Sequence, residues 1–296
     1  MRIAVTGKTG QVVTSLVERG SGAGHEVIAL GRPELDLADP ASVARVLEAA
    51  APDAIVSAAA YTAVDRAETE SLLAHRVNAA GAGVVAKAAK ALSVPLIQIS
   101  TDYVFDGSLD RPYVESDSTE PTGVYGASKL AGEQAVLAAH SDNSAVLRVA
   151  WVYSPFGANF VKTMLRLAGG RDEVAVVADQ FGNPTSALEI ADGVLKVANN
   201  LVAGSGPALR GVFHMTASGE ASWADFAEAI FAASAAQGGP YARVKRITTA
   251  DYPTPATRPV NSRLDCSRIK EAHGVALPDW RSSLDTVIAR LQQAAS

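Results

Sequence analysis

Basic charge in excess, a second cysteine, grouped histidines and long apolar runs are all missing from this chain of 296 residues. Lysine and arginine total 26 against 31 aspartates and glutamates, a formal net charge of -5. Holding nucleic acid takes a basic surplus to meet the phosphates, so nucleic acid is not the expected partner. The single cysteine, Cys266, permits no intrachain disulfide, which fits a reducing cytosol. His25, His75, His140, His214 and His273 lie far apart without ligand spacing, so no metal site is expected. No apolar run approaches the ~20 residues of a membrane helix, and the apolar piece within residues 1–7 is too short for a signal peptide. The expectation is a cytoplasmic protein that works away from the membrane.

What is present is apolar material in a regular order. Hydrophobic residues make up 48% of the chain, enough for one large core or two smaller ones. Residues 2–6, 26–30, 53–60, 94–100, 145–150, 174–177 and 211–215 read as strands. Helical periodicity runs between them, at 11–19, 40–50, 71–91, 160–167, 189–200, 222–236 and 280–294. Asp39 is the expected cap of the helix from 40, with Pro40 in its first turn. Alternation of this kind predicts an α/β protein with a doubly wound parallel sheet of Rossmann type. The elements of the second half are shorter and more broken. Residues 1–150 are therefore expected to form the sheet domain, with later strands and helices returning to it, and 151–296 mainly a smaller substrate-binding lobe.

Chemistry concentrates at strand ends. Gly7-Lys8-Thr9-Gly10-Gln11-Val12 follows the first strand and opens a helix. Glycine there lets backbone approach a phosphate, and a helix N-terminus favours the anion. Val13 stands where a third glycine is usual, so the helix is expected to sit further from the sheet or against smaller neighbours. The second strand ends in Gly31-Arg32, without the carboxylate that grips the ribose 2′-hydroxyl of NAD; an arginine suits the 2′-phosphate of NADP. Ala58, Ala59 and Ala60 leave room for a ring or ribose. Asn78, inside the helix 71–91, reads as a packing residue.

The strand ending at Thr101 continues as Asp102-Tyr103-Val104-Phe105, and Val124-Tyr125-Gly126-Ala127-Ser128-Lys129 follows. Tyr125 and Lys129 are four apart, one turn on one helix face. An ammonium beside a phenol is expected to lower its pKa, so that the phenol can give a proton to a carbonyl oxygen near neutrality. A Thr101 hydroxyl at the carboxyl end of a buried strand could bond the same oxygen.

Together with Ala58 to Asp65, Ser100 to Gly107, Tyr125 to Glu133, Trp151-Val152-Tyr153 and Tyr252 to Pro259, these motifs resemble the extended short-chain dehydrogenase/reductase superfamily. Within it the match is to the dTDP-4-dehydrorhamnose reductase family, over nearly the whole chain. The resemblance implies a catalytic trio of Thr101, Tyr125 and Lys129. It implies cofactor contacts from Gly10, Gln11 and Val12 to the pyrophosphate, Asp36 and Leu37 to the adenine, and Ala60, Tyr61 and Thr62 on the ribose side. Trp151 matches a sugar-nucleotide contact, with Asp102 and Val104 beside the trio as further substrate residues. Lys162 and Arg258 are cationic candidates for the substrate diphosphate. Ser15 and Leu188 replace the glutamates of the branch with a magnesium-linked dimer, so the expected state is a metal-free monomer or weak homodimer.

The implied activity is NADPH-dependent reduction, with NADH as the alternative cofactor, of a 4-keto deoxysugar nucleotide such as dTDP-4-dehydro-L-rhamnose. Two other readings stay open from sequence. One is an epimerase or dehydratase of the same superfamily. The other is a non-catalytic dinucleotide-binding regulatory subunit, as in eukaryotic methionine adenosyltransferase, against which the intact trio counts.

Overall fold

The computed structural model describes residues 1–294. The first half contains β1 (Arg2–Thr6), α1 (Gln11–Gly22), β2 (Glu26–Leu30), α2 (Pro40–Ala50) and β3 (Ala54–Ser57). Next come α3 (Val64–Ala67), α4 (Ser71–His75), α5 (Ala82–Leu92), β4 (Leu96–Thr101), α6 (Val124–His140) and β5 (Ser144–Val149). The second half runs β6 (Val152–Tyr153), α7 (Phe160–Ala168), β7 (Glu173–Val177), β8 (Phe181–Gly182), β9 (Thr185–Ser186) and α8 (Ala187–Ala203). It continues with β10 (Gly211–His214), β11 (Ala217–Ser218), β12 (Ala221–Ser222), α9 (Trp223–Ala236), β13 (Arg243–Ile247), α10 (Ser267–His273), β14 (Leu277–Asp279) and α11 (Trp280–Gln293). Among the described residues no helix is long and apolar enough to cross a membrane.

Six strands form one parallel sheet in the order β10-β5-β4-β3-β1-β2. Its strands are apolar on both faces because helices cover both. Ile3 and Val5 of β1 pack with Val13 and Leu16 of α1 and with α8, while Ala4 between them packs on the opposite face with α2 and α5. That is the two-residue alternation of a strand, here with both sides dry. β1 lies between β2 and β3, so its crossovers leave in opposite directions and open a crevice at the carboxyl ends of β1 and β3. Thr6 Oγ1 ties those ends together by accepting from the Ala58 and Ala59 amides, each at 3.0 Å.

A second core gathers α7, α9 and α11 around Met164, Phe226, Phe231, Trp280 and Leu284, with the parallel pair β7–β13 beside it. α8, β10 and α10 return to the first core. Asp39 caps α2 through the Ala41 amide (3.2 Å), and Pro40 occupies the first turn, where no amide hydrogen is needed.

The helix expected over 71–91 is broken. After α4 the backbone passes through a π-helical stretch, Arg76–Gly81, before α5 begins. Widening the turn rotates Asn78 inward, where it is 3% exposed. It accepts from the Tyr61 amide (2.7 Å) and donates to Tyr61 O (3.0 Å) and Ser128 Oγ (2.9 Å). Asn78 therefore joins the loop after β3 to the helix carrying Tyr125 and Lys129. It is more than a packing residue.

Candidate active site

A cleft of about 1230 Å³ runs along the carboxyl ends of the sheet and under the second lobe. That exceeds the roughly 300–1,000 Å³ of a single drug-sized ligand site, leaving room for two ligands side by side. Gly7 to Val13, Gly31, Arg32, Asp36, Leu37, Ala58 to Thr62, Thr101, Asp102, Tyr125, Lys129 and Trp151 all line it.

The phosphate end is built by backbone. Gly7 has φ +108°, and a Cβ there would stand 3.1 Å from Val13 Cγ2. Val13 thus packs over a residue with no side chain, which is how α1 tolerates valine in place of the third glycine. Gly31 lies against Lys8, whose Cγ would be 3.1 Å from an added Cβ. The N-cap of α1, Gly10, supplies no side-chain cap, and the first turn has no acidic residue. Its amide hydrogens stay available to an anion, so the loop fits a dinucleotide pyrophosphate. Gln11 is committed elsewhere: its Oε1 accepts from Ser154 Oγ (2.8 Å) and Asn159 Nδ2 (3.0 Å), tying the loop to the second lobe. Arg32 is exposed on the rim, while Lys8 is ion-paired with Glu34.

At the chemical end, β4 delivers Thr101 and α6 delivers Tyr125 and Lys129 to the same wall. α6 comes close because Gly126 and Gly132 have no side chains: a Cβ would meet Tyr103 O at 2.1 Å and Asn78 O at 2.2 Å. Lys129 is 4% exposed and donates through Nζ to Ile99 O at 2.7 Å. Two ammonium protons remain for a ligand. Burial pulls its pKa down to about 8, opposed by the Glu133 carboxylate one turn on. Tyr125 is half-buried, touches Tyr103 edge-on (centroids 5.6 Å) and stands beside the Thr101 hydroxyl, which lowers its pKa. Burial pushes its phenol up to about 12, with the Asp102 charge adding to the rise. This corrects the expectation that Lys129 lowers the Tyr125 pKa. The ammonium is turned to the Ile99 carbonyl, and desolvation sets the direction of the shift.

Behind the wall, Glu133 and Arg148 form a buried ion pair (Nη2–Oε2 2.7 Å), and Ser100 also donates to Glu133. Arg148 reaches the His214 ring at 3.5 Å and lies 5.0 Å over Phe105. Burial and that guanidinium hold His214 down to about 3, so it stays neutral.

Trp151 lines the cleft, stacked on Trp223 (centroids 3.5 Å, planes 5° apart), with Nε1 on Ser262 Oγ at 3.1 Å. Trp223 and Phe160 share this wall. An aromatic at a helix start carries no mark of which side it will face, so the sequence held no signal for either. Three expected substrate residues lie elsewhere. Val104 is fully buried against Phe105 and Tyr113, because the short 3-10 turn points it into the core. Lys162 Nζ points to Pro155 O (3.4 Å) and does not line the cleft. Arg258 also stands outside the cleft lining: it makes a two-pronged bond to Asp65 (3.0 and 2.9 Å) and donates to Thr254 Oγ1 (2.7 Å). It bridges the second lobe to α3.

Among the described residues, no three His, Cys, Asp or Glu side chains gather as a metal site. Ser15 is fully buried on α1, and Leu188 is buried in the second core.

The RmlD substrate binding domain family matches residues 1–293. A dTDP-4-dehydrorhamnose reductase from Sinorhizobium fredii is 50% identical over 283 residues, 96% of this chain and 95% of that protein. The crystal structure of a dTDP-4-dehydrorhamnose reductase from Clostridium acetobutylicum has TM-score 0.91 and 37% identity, covering 99% of this chain and all of that one. That from Bacillus anthracis, in complex with NADP, has TM-score 0.90 and 34% identity, covering 97% and 98%. Site geometry, sequence and fold agree that this chain belongs to the dTDP-4-dehydrorhamnose reductase family.

Proposed function

We propose that this chain is an NADPH-dependent reductase of a 4-keto deoxysugar nucleotide, with dTDP-4-dehydro-L-rhamnose as substrate and dTDP-L-rhamnose as product. The observation that carries the reading is the convergence of Thr101, Tyr125 and Lys129 in one cleft with the glycine loop of α1. When bound, NADPH supplies the hydride that reduces C4. The chain's own residues do the rest. Gly7 to Val12 hold the pyrophosphate, Arg32 the 2′-phosphate, Asp36 and Leu37 the adenine end, and the loop from Ala58 to Thr62 the ribose. Tyr125 gives its hydroxyl proton to the C4 oxygen. Lys129 holds the nicotinamide ribose with its two free protons and offsets the charge left on Tyr125. Thr101 supports the Tyr125 oxygen from behind, and the free face of the Trp151–Trp223 pair offers the sugar an apolar wall.

The site needs no metal, and the enzyme works in the cytosol as a monomer or weak homodimer. Residues 1–150, with α8, β10 and α10, form the cofactor domain, and most of 151–296 the substrate lobe. The test is consumption of NADPH with a panel of 4-keto sugar nucleotides. Stoichiometric oxidation with the dTDP-4-keto sugar is the expected result. Conversion of a sugar nucleotide without net cofactor consumption would establish an epimerase or dehydratase instead.

A further inference from the structure

The Thr101 hydroxyl has spent its one hydrogen in this structure. It donates to Asp102 Oδ1 (2.9 Å) and accepts from the Tyr103 amide (3.2 Å). Tyr125 stands beside it, close enough for the Thr101 hydroxyl to lower the phenol's pKa. A hydroxyl has one hydrogen and two lone pairs. With its hydrogen on Asp102, Thr101 can only accept from Tyr125. A Tyr125 proton given to Thr101 is turned away from the cleft that the substrate carbonyl must occupy, and Thr101 has no hydrogen left to give.

We infer that Asp102 sets the direction of the chain Asp102–Thr101–Tyr125, and that the reductase is competent when the Asp102 carboxyl carries a proton on Oδ1. In that state Asp102 donates to Thr101, Thr101 donates to the Tyr125 oxygen, and the Tyr125 hydrogen is free to face the substrate. When the Tyr125 O–H bond breaks and the proton goes to the C4 oxygen, the phenolate left behind is held by the hydrogen bond from Thr101, and Thr101 and Asp102 keep their own protons. Asp102 acts through Thr101, as a positioning residue.

Three features of the site favour a protonated carboxyl. Asp102 is 2% exposed. Its Oδ2 is buried without a hydrogen-bond partner. The Ser262 hydroxyl beside it, which lowers the pKa, spends its hydrogen on Phe181 O at 3.3 Å and accepts from Trp151 Nε1. No cation meets the carboxylate either. The titratable groups around it are Tyr103 on its own turn and Tyr125 on α6, while Lys129 on α6 is turned to Ile99 O. The nearby ion pair Asp65–Arg258 acts on Tyr103. A buried carboxylate with one bare oxygen is costly, and burial lifts this one to about 6 against the Thr101 and Ser262 hydroxyls and the Asp102 and Tyr103 amides, which lower it.

The inference rests on the reductase reading, but its first test needs no substrate. Tyrosinate absorbance is titrated against pH in wild type and Asp102→Asn, with Tyr125→Phe marking which step belongs to Tyr125. Removing a like charge from the chain should lower that step by about 1–3 pH units in Asp102→Asn. A step that stays in place or rises overturns the inference. The second test is the pH profile of kcat. In wild type, turnover should fall as pH rises through about 6, and that limb should be absent in both Asp102→Asn and Thr101→Val. A limb unchanged in Asp102→Asn overturns it. If Asp102→Asn does not fold, carbon-13 NMR of aspartate carboxyls in wild type decides, since a buried carboxyl titrating at or below the ordinary value is incompatible with the chain. Failure to oxidise NADPH with any ketosugar would sink the reductase reading and leave the two spectroscopic results standing.

Discussion

Arg258→Ala separates two roles for one cation. As a diphosphate ligand, Arg258 would affect the sugar nucleotide alone. As a bridge between lobes, it affects stability, and does so through Asp65. Its guanidinium makes two bonds to Asp65 and two more, to Thr254 Oγ1 and Ala256 O, that fold its own loop. The Ala256 amide donates to the same carboxylate at 3.3 Å. Bonds to charged groups contribute about 1.5–3 kcal/mol when shielded, but the Asp65 side chain is 41% exposed and that of Arg258 25%, so the pair is discounted to ~1 kcal/mol. The two loop bonds add about 1 kcal/mol more. A loss near 2 kcal/mol should lower Tm by roughly 4 °C in a chain of this size. The assay is a double-mutant cycle with Asp65→Asn, read by thermal unfolding and by KM for both ligands. The single variants should be non-additive by about 1 kcal/mol, with the KM for the sugar nucleotide changed alike in both. Unchanged Tm in Arg258→Ala, a KM effect on the sugar nucleotide alone, and additivity with Asp65→Asn would refute the bridge and restore the diphosphate role.

Tyr125→Phe should lower kcat by about 10²–10⁴-fold while NADPH binding, followed by fluorescence, is largely kept; near-normal turnover would remove Tyr125 from the mechanism. The Lys129 ammonium exists below about pH 8 and is lost above it, whereas Tyr125 at about 12 stays protonated. Beyond the limb set by Asp102, kcat/KM should therefore fall again through about pH 8, a second limb that stays in Asp102→Asn and that Lys129→Arg should move upward. Arg32→Ala should raise the KM for NADPH by roughly 10-fold and leave NADH nearly untouched, the lower end of a charged hydrogen bond because the residue is exposed; equal losses for both cofactors would make Arg32 structural. With Ser15 and Leu188 buried, activity and molecular size should survive EDTA, and restoration by Mg²⁺ after a loss would count against a metal-free site.

Local chemistry made much of this protein legible from its residues alone. Strand runs, the Asp39-Pro40 helix start, the glycine turn after β1 and the four-residue spacing of Tyr125 and Lys129 depend on neighbours in the chain, so their pattern survives in one dimension. Tertiary packing decided what those residues meet. Arg258 is matched to Asp65, 193 positions away, and no local pattern pairs them. Asn78 turned inward because a π-helical stretch interrupts a run whose periodicity is helical throughout. Val104 and Asp102 are two residues apart on one short turn, yet one enters the core and the other the cleft. The Tyr125 pKa moved opposite to expectation because burial, a property of the folded surroundings, raises it, while the ammonium that sequence places one turn away is turned to the Ile99 carbonyl. Sequence determined which groups stand at the strand ends; only the fold decided which are dry, which are already paired, and which remain free to act on a ligand.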